Sequence, residues 1–107
     1  MGIQLKTWGG KSEFSYDGSV STGTKIWYGQ GWLARVSADQ YRALLRHFRL
    51  AETEMGTSRD TAPKGSVGIW LQENVTKSAI ACYVGPILLH EGYAVRVPGQ
   101  RSRIRFV

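Results

Sequence analysis

Ser37-Ala38-Asp39-Gln40-Tyr41-Arg42-Ala43-Leu44-Leu45-Arg46-His47-Phe48-Arg49 is the stretch on which the fold turns. Ser37 stands as an N-cap, and Gln40 three residues on completes a capping box, each side chain satisfying an otherwise orphaned backbone donor. Val36 and Tyr41 hold the positions of a hydrophobic staple. Tyr41, Leu44, Leu45 and Phe48 recur at i, i+3, i+4 and i+7, one apolar stripe for a core. Arg42, Arg46 and Arg49 share the opposite face. The spacing predicts an amphipathic helix over 37–49 with a basic outside.

Upstream, the pattern has a period of two. Ile3, Leu5 and Thr7 alternate with Gln4 and Lys6, and Phe14 and Tyr16 alternate with Glu13, Ser15 and Asp17. Gly9-Gly10 and Asp17-Gly18 supply turns. Ser19 to Thr24 is a polar loop, and Lys25-Ile26-Trp27-Tyr28 is a further strand that ends at Gly29-Gln30-Gly31, with Trp32 to Val36 extending it. Residues 1–36 therefore read as a small antiparallel β-meander. Gly29-Gln30-Gly31-Trp32-Leu33-Ala34 matches a dinucleotide-binding fingerprint in letters only. In that motif the glycines open the helix, and here the helix waits for Ser37, so the glycines mark a tight turn.

Downstream, Leu50 to Met55 alternates as a short strand, and Gly56 to Gly65 is a loop. Ser66 caps a second helix over Val67 to Asn74, with Val67, Trp70 and Leu71 inward. Thr76 caps a third helix in which Ile80, Val84, Ile87 and Leu88 share a side. Pro86 predicts a kink or break, because proline lacks a donor and its ring collides with the preceding turn. Gly92 is a helix stop. Tyr93 to Val97 and Arg103 to Val107 alternate as two strands joined by Pro98-Gly99-Gln100-Arg101-Ser102, a terminal hairpin with Ile104 and Phe106 inward.

The 107 residues leave room for one hydrophobic core, so a single domain spanning 1–107 is expected. With apolar residues at 42% and charged residues at 21%, the chain has globular and not disordered composition. Cys82 is the lone cysteine, which excludes an internal disulfide and suits a reducing compartment. The run Ala79 to Val84 around it predicts a buried, inert thiol. The N-terminal residues lack a signal pattern, and no stretch approaches the roughly 20 apolar residues of a membrane helix. A cytoplasmic protein with no membrane partner is expected.

Charge is unevenly spread over the net +6. Arg96, Arg101, Arg103 and Arg105 fall in the last fifteen residues with no acid among them, while 50–92 is net acidic. Such a field attracts polyanions. The helix arginines Arg42, Arg46 and Arg49 read either as a solvated face or as phosphate contacts, and charge on the last strand also protects a sheet edge. Thr57, Ser58 and Arg59 form a candidate anion site in the 56–65 loop. His47 and His90 lack Cys or acid partners at ligand spacing, so no metal and no cofactor is expected. No nucleophile, base and orienting group can be assembled, so an enzyme is not expected.

In order, residues 37–107 read helix, strand, helix, short turn, helix, strand, loop, strand, which resembles the winged helix-turn-helix fold. Glu73 to Ile80 looks like the turn into a recognition helix, and Glu91 to Val97 like the exit into the wing. The likeness is one of pattern, over about two-thirds of the chain. The expected fold class is α+β, an N-terminal antiparallel β-meander packed with a three-helix, winged-helix-like unit ending in a C-terminal β-hairpin. The resemblance implies a non-enzymatic nucleic-acid-binding module for duplex DNA, with the third helix in the major groove and the wing on the backbone. Lys77 and Ser78 would lie nearest base edges, and Arg96, Arg101, Arg103 and Arg105 would contact phosphates. The third helix has almost none of the Arg, Asn and Gln that read bases, which favours backbone contacts.

Two other readings stay open. A protein-interaction or adaptor module, or a homodimer, would use Trp8, Trp27 and Trp32, or the small-residue helix face Ser78, Cys82, Gly85 and Leu89, which equally suits packing on the N-terminal sheet. A small-molecule binder would use an aromatic pocket over the meander.

Overall fold

The computed structural model describes residues 2–107; Met1, the first residue of the expected meander, lies outside them. Strands β1 (Ile3–Lys6), β2 (Glu13–Ser19), β3 (Gly23–Tyr28) and β4 (Trp32–Val36) form one antiparallel sheet in sequence order. Register follows the alternation: Leu5 faces Phe14, Tyr16 faces Ile26, and Ile26 faces Ala34, so one face of the sheet is apolar. The β3–β4 turn runs through Gly29 and Gly31, both at positive φ (59° and 101°), a conformation that only glycine adopts without steric cost.

Helix α1 (Ala38–His47) carries the expected capping box, Gln40 N–H donating to Ser37 Oγ at 3.0 Å and Ser37 N–H to Gln40 Oε1 at 2.8 Å. Tyr41, Leu44 and Phe48 are buried, and Tyr41 shares a 2.7 Å hydrogen bond with Thr24 Oγ1 that ties the helix to β3. Burial pushes the Tyr41 hydroxyl well up, so it stays neutral. Strand β5 (Glu52–Glu54) follows, then helix α2 (Val67–Asn74), with Ser66 Oγ accepting from Ile69 N–H.

The start of the third helix is corrected. Helix α3 spans Ala81–His90, its N-cap is Ile80, and no side chain caps it. The N–H groups of Val75 and Thr76 both donate to Leu71 O, so Thr76 closes α2 instead of opening α3. Lys77 and Ser78 consequently sit in the linker between the helices and not on a helix. Pro86 does not end α3, which continues past it to His90.

Strands β6 (Ala94–Val97) and β7 (Gln100–Phe106) pair as the terminal hairpin, and β5 adds to β7, giving a second sheet of order β5-β7-β6. The hairpin loop is shorter than expected, so Arg101 and Ser102 lie on β7. Ile104 and Phe106 are buried, as the alternation requires.

One core joins the three helices and every strand but β5. Helix α3 lies at its centre, packed on β1 and β6, and His90 is the single exposed residue of the helix. Tyr83 reaches the meander, stacking on Tyr28 at 4.5 Å between centroids and meeting Phe14 edge-on at 5.2 Å. No helix among the described residues is long and apolar enough to cross a membrane.

Candidate anion-binding cleft at the hairpin tip

The site is organised by a hydrogen bond that Pro86 cannot make. In an α-helix residue 86 would donate to the carbonyl of residue 82, and proline has no N–H. A buried carbonyl needs a partner, and Cys82 O finds it in Trp8 N–H, 2.9 Å away in the β1–β2 turn. Gly85 lets the indole in: a Cβ there would stand 2.7 Å from both Trp8 Cε3 and Met55 Cε. Gly85, one of the four residues of the expected small-residue face, thus packs against Trp8, which is only 6% exposed, whereas Ser78 of that face lies in the linker before α3.

Trp8 then positions two arginines. Its indole Nε1–H donates to Arg101 O at 2.7 Å, and its carbonyl accepts from Arg96 Nη2 at 2.8 Å. The Arg96 guanidinium carbon lies 4.0 Å from the indole centroid, a cation–π contact. Beside them opens a cleft of about 610 Å³, lined by apolar Trp8, Met55, Ala62 and Pro63 and by polar Arg96, Arg101, Glu54, Thr57 and Ser58. Ser58 Oγ accepts from Thr61 N–H and Oγ1–H, which leaves its own O–H free to donate. Two of the three residues of the sequence-derived anion loop, Thr57 and Ser58, therefore meet two of the C-terminal arginines in one cleft.

The third, Arg59, stands just beyond. Gln72 Nε2 donates to Arg59 O at 3.0 Å and to Lys77 O at 3.4 Å, so the linker lysine and the loop arginine are neighbours. On the other side, Gly10 is shared with a shallow depression that carries Lys6 and Lys11. None of Lys6, Lys11, Arg59, Lys77, Arg96 or Arg101 is ion-paired among the described residues. The acids nearby are Glu54, which lines the cleft itself, accepts from Ser102 Oγ and lies 3.7 Å from Arg103, Glu13, which lines the depression with Lys6 and Lys11, and the exposed Asp60.

The remaining arginines are placed differently. The register sets Glu52 opposite Arg105 and Glu54 opposite Arg103. Glu52 takes Arg103 Nε at 3.1 Å and Arg105 Nη2 at 3.2 Å. These two guanidinium groups hold the Glu52 carboxyl below the usual carboxylate range, so at neutral pH the acid is ionised and the pairs are formed. Arg42 pairs with Asp39 on the helix surface. Arg46 and Arg49 are exposed beside Tyr93, Phe106 and Val107, at the far end of the hairpin, roughly 17 Å along β7 from Arg101. The structure does not bring the two arginine groups together.

Sequence reasoning missed Trp8, Gln72, Lys6 and Lys11 as parts of this site. Pro86 carried a partial signal, since it predicts an orphaned carbonyl at residue 82, but the partner lies 74 residues away along the chain. Cys82 is half-buried and burial pushes its thiol pKa up, so it is held in the unreactive form. Among the described residues no three His, Cys, Asp or Glu side chains are grouped to hold a metal ion. His47 is packed edge-on against Phe48.

No protein-family model matches the chain, and no curated protein or solved structure matches it either.

Proposed function

We propose that the protein is a non-enzymatic nucleic-acid-binding module that grips the phosphate backbone of duplex DNA at the hairpin-tip cleft. One observation carries this: Arg96, held by Trp8 through its guanidinium, and Arg101, held by Trp8 through its backbone carbonyl, line without ion pairs a cleft that also presents Thr57 and Ser58. Arg59 and Lys77, joined through Gln72, extend the positive surface on one side, and Lys6 and Lys11 do so on the other. The order α1-β5-α2-α3-β6-β7 keeps the sequence of elements on which the winged-helix resemblance rests, with the terminal hairpin in the position of a wing. Helix α3, which the resemblance would set in the major groove, packs on β1 and β6 and exposes only His90, so it has no face to offer a groove. Binding accordingly rests on phosphates, which position a protein without reading sequence. A free Cys82 suits the reducing cytoplasm, to which we assign the protein.

Anisotropy with a labelled random duplex tests the proposal. Micromolar binding is expected at about 50 mM salt, falling steeply by about 200 mM. Replacing Arg96 and Arg101 together with alanine is expected to reduce the slope of log K against log salt by about two. Alanine at Arg103 or Arg105 reduces it less, because Glu52 already holds those charges. No binding at low salt would remove the reading.

A second reading rests on strand β4, a sheet edge where Trp32 is 68% exposed beside exposed Leu33. An uncovered apolar edge invites pairing with another chain, here a second copy. Sedimentation at rising concentration is expected to show a dimer that Trp32→Lys abolishes; a monomer throughout would end this reading.

A further inference from the structure

The Arg96 guanidinium lies over an aromatic ring and lines a cleft. Its Cζ lies over Trp8, 4.0 Å from the ring centroid, and Nη2 is held by Trp8 O at 2.8 Å. The indole beneath is itself anchored at both its backbone N–H and its Nε1. No second aromatic ring stacks on Arg96 among the described residues, and the side chain is exposed on the cleft wall. Holding a long side chain in place before a ligand arrives removes most of the ordering cost of using it. A guanidinium plane held in this way accepts a nucleobase as a third layer.

The rest of the cleft fits one nucleotide. Its volume of about 610 Å³ lies within the range of small-molecule sites. Met55, Ala62 and Pro63 supply apolar surface for a base, Thr57 and Ser58 supply hydroxyls for its polar edge, and Arg101 supplies a cation for its phosphate. A base inside a continuous duplex must first be unstacked and unpaired to enter, and an unpaired one is spared that cost.

We propose that the cleft takes a single unpaired nucleotide, its base stacked on Arg96 and its phosphate at Arg101, so that the protein prefers DNA with a single-stranded end over continuous duplex. This rests on the nucleic-acid reading above and names the structure that the same site selects.

The experiment compares three labelled DNAs at low salt: a blunt duplex, the same duplex with a single-stranded tail of roughly three nucleotides, and the same duplex with a tail of equal length and charge whose sugars lack bases. The normal tail is expected to bind about tenfold tighter than the blunt duplex, the scale of one base–side-chain stack, and the base-free tail close to the blunt level. Arg96→Lys keeps the charge and loses the planar face, so it is expected to bring the ratio of tailed to blunt affinity near one. Equal binding of normal and base-free tails by the unmodified protein would overturn the inference and leave backbone binding standing, as would a full preference retained by Arg96→Lys. Failure to bind any of the three would remove the nucleic-acid reading and this one together.

Discussion

Gly68→Ala is expected to destabilise the protein by about 3 kcal/mol, the upper part of the range for forced overpacking. Gly68 is the second residue of α2, and its N–H donates to Met55 O at 2.8 Å. The helix is thereby pressed onto the chain leaving β5. An added Cβ would overlap the Gly56 carbonyl oxygen and stand 2.8 Å from the Gly56 carbonyl carbon. Both are backbone atoms, which have no rotamer by which to move aside. In an exposed helix the same substitution would gain about 1 kcal/mol from propensity, so the contact decides the sign. Gly9→Ala is the control, because a Cβ there meets nothing within 4 Å; its effect should stay within about 0.5 kcal/mol. Urea unfolding of both variants measures the difference, and equal midpoints would show that α2 does not approach the 55–56 backbone so closely. Met55 and Gly56 also line the cleft, so the folded fraction of Gly68→Ala should bind DNA more weakly.

Glu91→Ala is expected to cost about 3 kcal/mol, and Glu91→Gln less than half of that. Glu91 is the C-cap of α3, and its two carboxylate oxygens serve the meander: Tyr16 O–H donates to Oε2 at 2.7 Å and Val20 N–H to Oε1 at 2.9 Å. Tyr16 is fully buried and Val20 nearly so, which makes each donor costly to leave without a partner. Burial, with Glu91 beside it, pushes the Tyr16 hydroxyl well up, so the group remains a neutral hydroxyl. Glutamine preserves both contacts by a rearrangement of protons. Its carbonyl accepts from Val20 N–H while its amide donates to the Tyr16 oxygen, which switches from donor to acceptor. Alanine preserves neither. Urea midpoints in the order wild type, Gln, Ala are expected; a glutamine variant as weak as the alanine variant would mean that charge, and not hydrogen bonding, carries the link.

Features decided within a few residues of chain were legible in the sequence. The Ser37/Gln40 capping box, the Ser66 cap, the alternation of β2 and β7 and the stop at Gly92 are each set by one turn of backbone or by period-two burial, whereas Asp17-Gly18, a turn by its letters, lies inside β2. Thr76 was misread for a related reason. A hydroxyl residue between two helices signals a cap, but whether it closes the first helix or opens the second depends on where the second must lie. Here α3 is placed by packing between the two sheets.

The charged surface shows the same division. Composition determined that arginines crowd the C-terminus, and alternation determined that Arg103 and Arg105 point away from the core. Their neutralisation by Glu52, some fifty residues earlier, was decided by the pairing of β5 with β7. The sequence alone thus determined the elements, their order and the sign of the charge, since propensity, capping and periodicity act through near neighbours in the chain. Tertiary structure alone decided which cations remain free, that Arg46 and Arg49 stand apart from Arg96 and Arg101, and that Trp8 fills the carbonyl left open by Pro86. Those outcomes depend on groups distant in sequence meeting across a packed core, where strand order and side-chain shape select the partner.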